Sequence, residues 1–578
     1  MTVFRVWAPS AERVVEVDTL GARAPMAAVG GGWWELDLPA AGPGTDYRYC
    51  IDGGDGLPDP RSRWQPAGVD GPSRVVDLSA VPWTATSWRG ARLADGVVYE
   101  LHVGTFTPTG TLDAAIERLD HLVQLGVTHV ELMPVNEFSG DRGWGYDGVD
   151  LYAVHHTYGG PEALTRFVDA CHRLGLAVVL DVVYNHLGPA GAYLDRFGPY
   201  FTGRYRTPWG TAINYDDTDS DEVRAFVIDN ALMWLRDYRC DALRLDAVHA
   251  IFDQSATHLL EELQDQVDAL AEESGRIIEL IAESDLNDPR LVAPRERGGY
   301  ALAAQWSDDF HHALHATVTG ERDGYYADFD GLAHLATALR QVFVYIGQHS
   351  PYRRRKHGRP PTGLPATSFL GYLQNHDQIG NRATGERSSA LASTELLEVA
   401  AAIVLLGPFV PMLFQGEEWG ATSPFQYFTD HRDHDLAEAV RRGRRAEFAA
   451  FGWAPDDVPD PQASETFEIS RLDWSELDRE PHDRLLRWHR DLIALRRSTP
   501  AFSDGDLAQL RVDTGGDGWL RLRRGSLHVV ANFASTTQEV VIEDCGDLTC
   551  ALASQPVTMT RTGVALPPES AAMLLPRA

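Results

Sequence analysis

Charged and polar side chains recur in this sequence at the ends of short apolar runs, where they could do chemistry together. Asp181, Asn185 and His186 stand in "DVVYNH", Arg244 and Asp246 in "ALRLDAVH", Glu283 in "IAESD", and His376 and Asp377 in "LQNHD". Tyr146 lies in the loop "GWGYDGVDLYAV". Arg244 and Asp246 are two residues apart in an alternating apolar run, so in a strand they share a face. One buried Arg–Asp pair is as readily structural as functional. Clustered buried carboxylates are different: each raises the pKa of the next, and a fold keeps that cost most readily at a functional site. Two carboxyls flanking a bond, one protonated and one ionised, are the equipment for glycoside hydrolysis. Arg244 would keep Asp246 ionised, because a neighbouring cation lowers a carboxylate's pKa. A metal site is the other chemistry open to these residues. Asn185 and His186 could ligate, but no compact His/Cys group accompanies them. His311 and His315 in "HHALH" read as a solvated helix face rather than a zinc pair.

The elements that must position these residues follow from periodicity. From about Val97, apolar runs alternate with amphipathic helical patterns. The runs "GVVYELHVGTF", "VTHVELMPV", "LAVVLDVVYNH", "CDALRLDAV", "IIELIAESD", "YALAAQWSDDF", "SFLGYLQNHD" and "VPMLFQGEEWG" give eight strands. That alternation predicts an α/β fold with a central (β/α)8 TIM barrel. In such a barrel the catalytic side chains sit at the C-terminal strand ends, which is where the residues above fall. Residues 1–88 read as an N-terminal immunoglobulin-like β-sandwich, 89–495 as the catalytic barrel with loop insertions, and 496–578 as a C-terminal β-sandwich domain. The stretch "FGPYFTGRYRTPWGTAINYDD" reads as an extra loop, and residues 430–480, polar and rich in Pro, as an irregular insertion after the last strand.

Composition narrows the function. The 578 residues are 44% apolar and include 15 Trp, as a folded globular chain requires. A net charge of −32 disfavours nucleic acid and anionic membrane as partners and suits an uncharged ligand. The only lysine is Lys356, so there is no GxxxxGK[ST] phosphate loop and no candidate Schiff-base lysine. Cys50, Cys171, Cys240, Cys545 and Cys550 are too sparse for a disulfide framework or a zinc spacing, which fits a reducing cytoplasm. The start "MTVFRVWAPS" lacks the pattern of a signal peptide, and no apolar run reaches the roughly 18 residues of a membrane span. No dedicated oxygen cage is visible, so neither metal nor cofactor is expected.

"DVVYNH", "ALRLDAVH", "IAESD" and "LQNHD" resemble the four ordered signature regions of the α-amylase superfamily, glycoside hydrolase family 13. The resemblance implies Asp246 as nucleophile, Glu283 as acid/base and Asp377 as transition-state stabiliser. It implies that His186 and His376 hold hydroxyls of the −1 sugar, that Tyr146 stacks beneath that sugar, and that Asp181 braces Arg244. Longer stretches, among them "QNHDQIGNRATGERSS", "PMLFQGEEWGATSPFQYFTDH" and "GQHSPYRRRKHGRP", are similar to the branch of the superfamily that cleaves the α-1,4 bond next to a terminal trehalose unit. The implied substrate is an α-1,4-glucan carrying a terminal trehalose, and the implied pathway partner a maltooligosyltrehalose synthase. Many amylases carry Lys-His shortly after the nucleophile; this chain has His249 and Ala250, a departure that suits a different leaving group. Trp209, His249, Glu417 and Trp419 are the expected walls of the +1 and +2 subsites. Two other readings stay open: a glycogen branching or debranching enzyme with the same core, and a non-catalytic glycan-binding homologue. The presence of all three carboxylates weighs against the last.

Overall fold

Eight parallel strands close into a barrel in which neighbours in sequence are neighbours in space. They are β1 (Val98–Leu101), β2 (His129–Leu132), β3 (Ala177–Val182), β4 (Ala242–Leu245), β5 (Glu279–Ala282), β6 (Ala304–Trp306), β7 (Phe369–Gly371) and β8 (Val410–Phe414), with β8 pairing back onto β1. These fall in the eight predicted runs; within "YALAAQWSDDF" the strand covers only Ala304–Trp306. The structure, a computed structural model, describes residues 2–449, 454, 457–516, 518–543 and 545–577.

The barrel interior changes character along its axis. Val98, Val179, Ala242, Ile281, Ala304, Leu370 and Val410 form one buried apolar cluster inside it. Strand side chains alternate between faces, so the residue two positions further on points the same way. That step leads from Val98 to Glu100, Val179 to Asp181, Ala242 to Arg244 and Ile281 to Glu283. The apolar half therefore fixes the register of a polar half at the C-terminal end. Glu131 on β2 lies across from Glu100, and both are fully buried. Burial, reinforced by Glu100, pushes the Glu131 carboxyl well above the usual range, which favours its neutral form.

Antiparallel sheets lie at both ends of the chain. In the N-terminal part, Thr2–Trp7, Trp33–Leu38 and Ala27–Gly30 form one sheet, and Arg23–Pro25, Val15–Asp18, Asp46–Ile51 and Gly56–Leu57 form the core of another. This part docks on the helix Asp221–Arg236 and the residue that caps its C-terminus through polar contacts: Trp33 Nε1 donates to Glu222 (3.0 Å), Arg61 to Asp229 (2.8 Å) and Arg63 to the cap, Asp237 (2.6 Å). A five-stranded and a three-stranded sheet close the C-terminal part. The helix His482–Ser498 runs across residue 495, and strands resume at Leu510. The extra loop after β3 is a hairpin, Phe201–Thr207 with Gly210–Ile213, that carries Trp209 at its tip.

Two sequence expectations are corrected. Residues 430–480 are not wholly irregular, because His434–Ala449 is a helix. Its charges pair along the helix, Arg441 and Arg442 with Glu438 and Arg444 with Glu447, so a polar run is helical without a wide apolar face. Part of that expectation, residues 450–453 and 455–456, lies outside the described residues. The "HHALH" face is buried rather than solvated: His311 bonds Leu373 O (2.7 Å) and Tyr326 Oη (3.0 Å), and His315 bonds Glu321 (2.7 Å). The turn Gly324–Asp328 folds over the helix Asp308–Thr319 and covers the face that would otherwise meet water. Among the described residues no helix is long and apolar enough to cross a membrane.

Candidate active site

Arg244 is fully buried at the centre of the polar half. Parallel register sets it beside Asp181 of the neighbouring strand. Its Nη1 donates to Asp181 Oδ1 and Oδ2 (3.0 and 2.8 Å) and to Asp246 Oδ1 (2.8 Å), while Nη2 stands 3.8 Å from Glu283 Oε2. The Trp306 ring covers the guanidinium, with Cζ 4.2 Å from the ring centroid. Asn185 Nδ2 donates to Asp246 Oδ2 (2.8 Å) and to the Asp246 carbonyl (2.7 Å), which fixes the second carboxylate oxygen. Just past β4 the chain turns through Ala247 in a left-handed conformation, φ 39 and ψ 49. For a residue with a Cβ this costs on the order of 1–2 kcal/mol. The turn brings Ala247 N–H within 2.6 Å of Glu283 Oε2 and so links the two strand ends.

The carboxyls experience different surroundings. Glu283 is pushed well above the usual range by burial and by the charges of Asp246, Asp308 and Asp377, against the pull of Arg244. These surroundings favour its protonated form. Burial raises Asp181 to about 6, against Arg244 and the Tyr146 hydrogen bond, so it is ionised at neutral pH. Asp308 accepts from Tyr372 Oη (2.6 Å) and is pushed up to about 7, chiefly by burial.

A second line of contacts reaches Asp181 from β1. His376 Nδ1 meets Glu100 Oε1 at 2.5 Å, and His376 Nε2 meets Tyr146 Oη at 2.7 Å, with the two rings stacked. Although burial opposes its charge, Glu100 and Asp377 raise His376 to about 9, so both ring nitrogens carry protons at neutral pH. The donors then run in one direction: His376 gives one proton to Glu100 and the other to Tyr146 Oη, which donates to Asp181 Oδ2 (2.6 Å). His186 bonds the Asn185 side chain through Nδ1 and stacks on Trp209, centroids 4.5 Å apart; burial lowers its pKa and keeps it neutral.

These groups line one cleft of about 630 Å³, which brings together Tyr146, His186, Trp209, Asp246, His249, Glu283, His376 and Asp377. Asp181 and Arg244 lie beneath them. Ala250 is buried behind His249. Glu417 and Trp419 are not in the cleft. The short turn Glu417–Trp419 after β8 folds away from it, and Trp419 is fully buried, its Nε1 donating to Glu476 (3.1 Å) and its ring against Trp474. Glu417 is buried too, with its carboxyl pushed up to about 8 by that burial.

The cleft also contains residues that sequence reasoning missed: Asp308, Asp285, Arg353, Tyr352, His312 and Tyr325. Asp285 and Asp308 continue the alternation of Glu283 and Trp306, a signal available in the sequence. Arg353, which pairs with Asp285 (2.8 Å), comes from a distant loop; the family resemblance marks its stretch, "GQHSPYRRRKHGRP", but no periodicity places it in the cleft. Among the described residues one group has the atoms for a metal, Glu137, His155 and His156; here both histidine Nδ1 atoms bond Glu137 Oε1 (3.2 and 2.7 Å).

A closed (β/α)8 barrel with these carboxylates at its C-terminal mouth defines a glycoside hydrolase of the α-amylase class. Residues 84–206 match the family model "Alpha amylase, catalytic domain", and residues 1–66 match "Carbohydrate-binding module 48 (Isoamylase N-terminal domain)". The chain is 56% identical over 501 residues to the malto-oligosyltrehalose trehalohydrolase of Arthrobacter ramosus, covering 86% of this chain and 87% of that one. With the malto-oligosyltrehalose trehalohydrolase of Rhizobium sp. (strain M-11) it shares 49% identity over 580 residues, 99% of this chain and 97% of the other. The crystal structure of a Salmonella typhimurium protein, provisionally described as an alpha amylase, superposes with a TM-score of 0.90 at 41% identity, covering 99% of this chain and 97% of that one. The chain belongs to the malto-oligosyltrehalose trehalohydrolase family.

Two predictions follow from this geometry. Trp419→Ala should cost about 3–5 kcal/mol of stability, read by urea unfolding, while Trp419→Phe keeps the wild-type kcat/KM. A change of substrate selectivity in Trp419→Phe would return Trp419 to the subsites. The His376–Glu100 pair carries a pH signature. Folding raises His376 from 6.5 to about 9, so its stabilisation is fully present below about pH 6.5 and is lost as pH rises through 9. Across that window Tm should fall more steeply in the wild type than in Glu100→Gln, and parallel profiles would contradict the pair.

Proposed function

We infer that this chain is a retaining glycoside hydrolase that cleaves the α-1,4-glucosidic bond next to the terminal trehalose of maltooligosyltrehalose, releasing trehalose and a maltooligosaccharide. The observation that carries the chemistry is the single guanidinium of Arg244 bonded to Asp246 and facing Glu283. Asp246, oriented by Arg244 and Asn185, attacks the anomeric carbon of the −1 glucose. Glu283 gives its proton to the departing oxygen of trehalose. It then takes a proton from water, and the resulting hydroxide equivalent displaces Asp246, so two inversions give net retention. Asp377, half-exposed in the cleft and anchored where Asn375 accepts from its backbone N–H, binds hydroxyls of the −1 sugar as the ring flattens. Tyr146 forms the platform under that sugar, and His186 and His376 address its hydroxyls.

Selectivity for trehalose belongs to the groups beside the acid. Trehalose has no reducing end, and its second ring is turned relative to that of maltose. A site for it must recognise particular hydroxyls and reject straight amylose. His249, Tyr352 and the Asp285–Arg353 pair line the cleft near Glu283 and suit that task, with polar atoms held by an ion pair. Trp209, 48% exposed, offers an indole face to a sugar ring. Such a substrate has to be made by isomerising the reducing end of a maltooligosaccharide, so the pathway partner is a maltooligosyltrehalose synthase. The five cysteines, all free, accord with a cytoplasmic setting. A branching or debranching role lacks a comparable foothold, because relatives near or above half identity carry the trehalohydrolase name.

The test is a comparison of maltotriosyltrehalose with maltopentaose, two substrates of equal length. A large preference in kcat/KM for the first, with free trehalose as product, is expected, because unpaired polar groups penalise the analogue. Equal values with maltose or glucose as principal products would overturn the reading. For the acid, Glu283→Gln should slow hydrolysis by about 10² to 10⁴ with the fold intact. An initial β-anomeric product by NMR would contradict retention.

A further inference from the structure

The N-terminal end of the barrel, opposite the cleft, carries a separate cavity of about 300 Å³ lined by Trp88, Arg89, His172, Arg236, Arg239 and Arg276, with a few smaller residues. It forms where the segment entering the barrel crosses beneath β4 and β5. Trp88 Nε1 donates to Asp241 just before β4 (2.9 Å), and the Arg89 carbonyl accepts from Ile277 N just before β5 (2.8 Å). Four arginines around one cavity are a concentration of positive charge in a chain whose net charge is −32.

The nearby acids do not balance it. Asp241 already accepts from Trp88, from His172 (2.8 Å), from Val178 N–H (2.9 Å) and from Arg276 (3.2 Å). Asp237 takes Arg236 (2.9 Å) and Arg63 (2.6 Å). Asp169 takes Arg173 (2.9 Å), the Thr84 hydroxyl (2.6 Å) and the backbone N–H groups of Thr84 and Ala85. Among the described residues the Arg89 side chain donates only to carbonyls, those of Thr86 (3.0 Å) and Trp88 (2.8 Å). The Arg239 guanidinium lies over the Trp83 ring, 4.5 Å from its centroid, and among the described residues it makes no hydrogen bond or ion pair. Arg276 directs Nη1 and Nη2 to the carbonyls of Leu235, Arg239 and Cys240, which leaves its buried Nε without a partner. The crowding acts on Arg239 itself: burial lowers its pKa, and the Arg276 and Arg89 charges lower it further, against Asp169. Like charges gathered this way repel one another, and a counter-charge bound in the cavity would relieve that repulsion.

We propose that this cavity binds the phosphoryl group of a small molecule, held by Arg89, Arg239 and Arg276. The guanidinium fork matches phosphate oxygens better than any other side chain does. The volume sits at the low end of the roughly 300–1,000 Å³ of small-molecule pockets, enough for a sugar phosphate. A nucleic acid is ruled out by the charge of the rest of the surface.

Calorimetric titration of the full chain with inorganic phosphate and with glucose 6-phosphate tests the site. One equivalent of binding is expected, weakening with added salt. Tighter binding of glucose 6-phosphate than of phosphate identifies an ester as the ligand, and equal affinity identifies free phosphate. The double variant Arg89→Gln/Arg239→Gln should bind either probe about tenfold or more weakly. It should keep the wild-type kcat on maltotriosyltrehalose, which shows that its fold is sound. Absence of binding by both probes, or binding unchanged in the double variant, would overturn the proposal.

Discussion

The active site is organised around the contact of the Arg244 guanidinium with its carboxylates. Asp181, Asp246 and Glu283 converge on one buried volume, where their charges would repel one another strongly. Arg244 makes that convergence tolerable and also divides the labour. Nη1 bonds Asp181 and Asp246, while Nη2 only faces Glu283 at 3.8 Å. Arg244 thereby favours Asp181 as an anion, and Glu283 is left to burial and to its acidic neighbours, which favour its protonated form. A lysine could not do this, since an ammonium is a point charge without a planar fork. Removing one partner of such a buried pair leaves an uncompensated charge that costs roughly 3–5 kcal/mol. Stability and chemistry therefore rest on the same contact.

The surroundings of Arg244 restrict its motion. Trp306 covers one face. Asp181 is itself held by Tyr146, and Tyr146 by a protonated His376 whose counter-ion is Glu100 on β1. Strands β1, β3, β4, β6 and β7 thus contribute, directly or just past their ends, to the position of one guanidinium. The closed barrel provides this because its parallel register sets Asp181 beside Arg244 and Glu131 beside Glu100.

Much of this arrangement was legible in the sequence, for a physical reason. Buried parallel strands are near-continuous apolar runs, and a charge just past the end of such a run has few places to point other than the barrel mouth. The same logic misplaced Glu417 and Trp419. They too follow an apolar run, but Trp419 finds its partner in Glu476, far along the chain, and such long-range packing has no local signature. The histidines of "HHALH" were misjudged in the same way, because a separate turn covers them. The place of Arg353 beside Asp285 was invisible because it depends on the course of a loop, not on periodicity. Local pattern pointed to the strand-end residues that share the cleft, whereas other parts of its lining come from loops whose contacts are non-local.

The central claim is that Asp246, held by Arg244, forms a covalent bond to the −1 sugar while Glu283 handles the proton. It can be tested by incubating Glu283→Gln with α-maltotriosyl fluoride, which needs no acid to depart, and measuring the peptide masses after quenching and proteolysis. Without a base to activate water the intermediate should accumulate, with a maltotriosyl adduct on the peptide containing Asp246. Turnover of the fluoride with no adduct, or an adduct on any other carboxylate, would contradict the account.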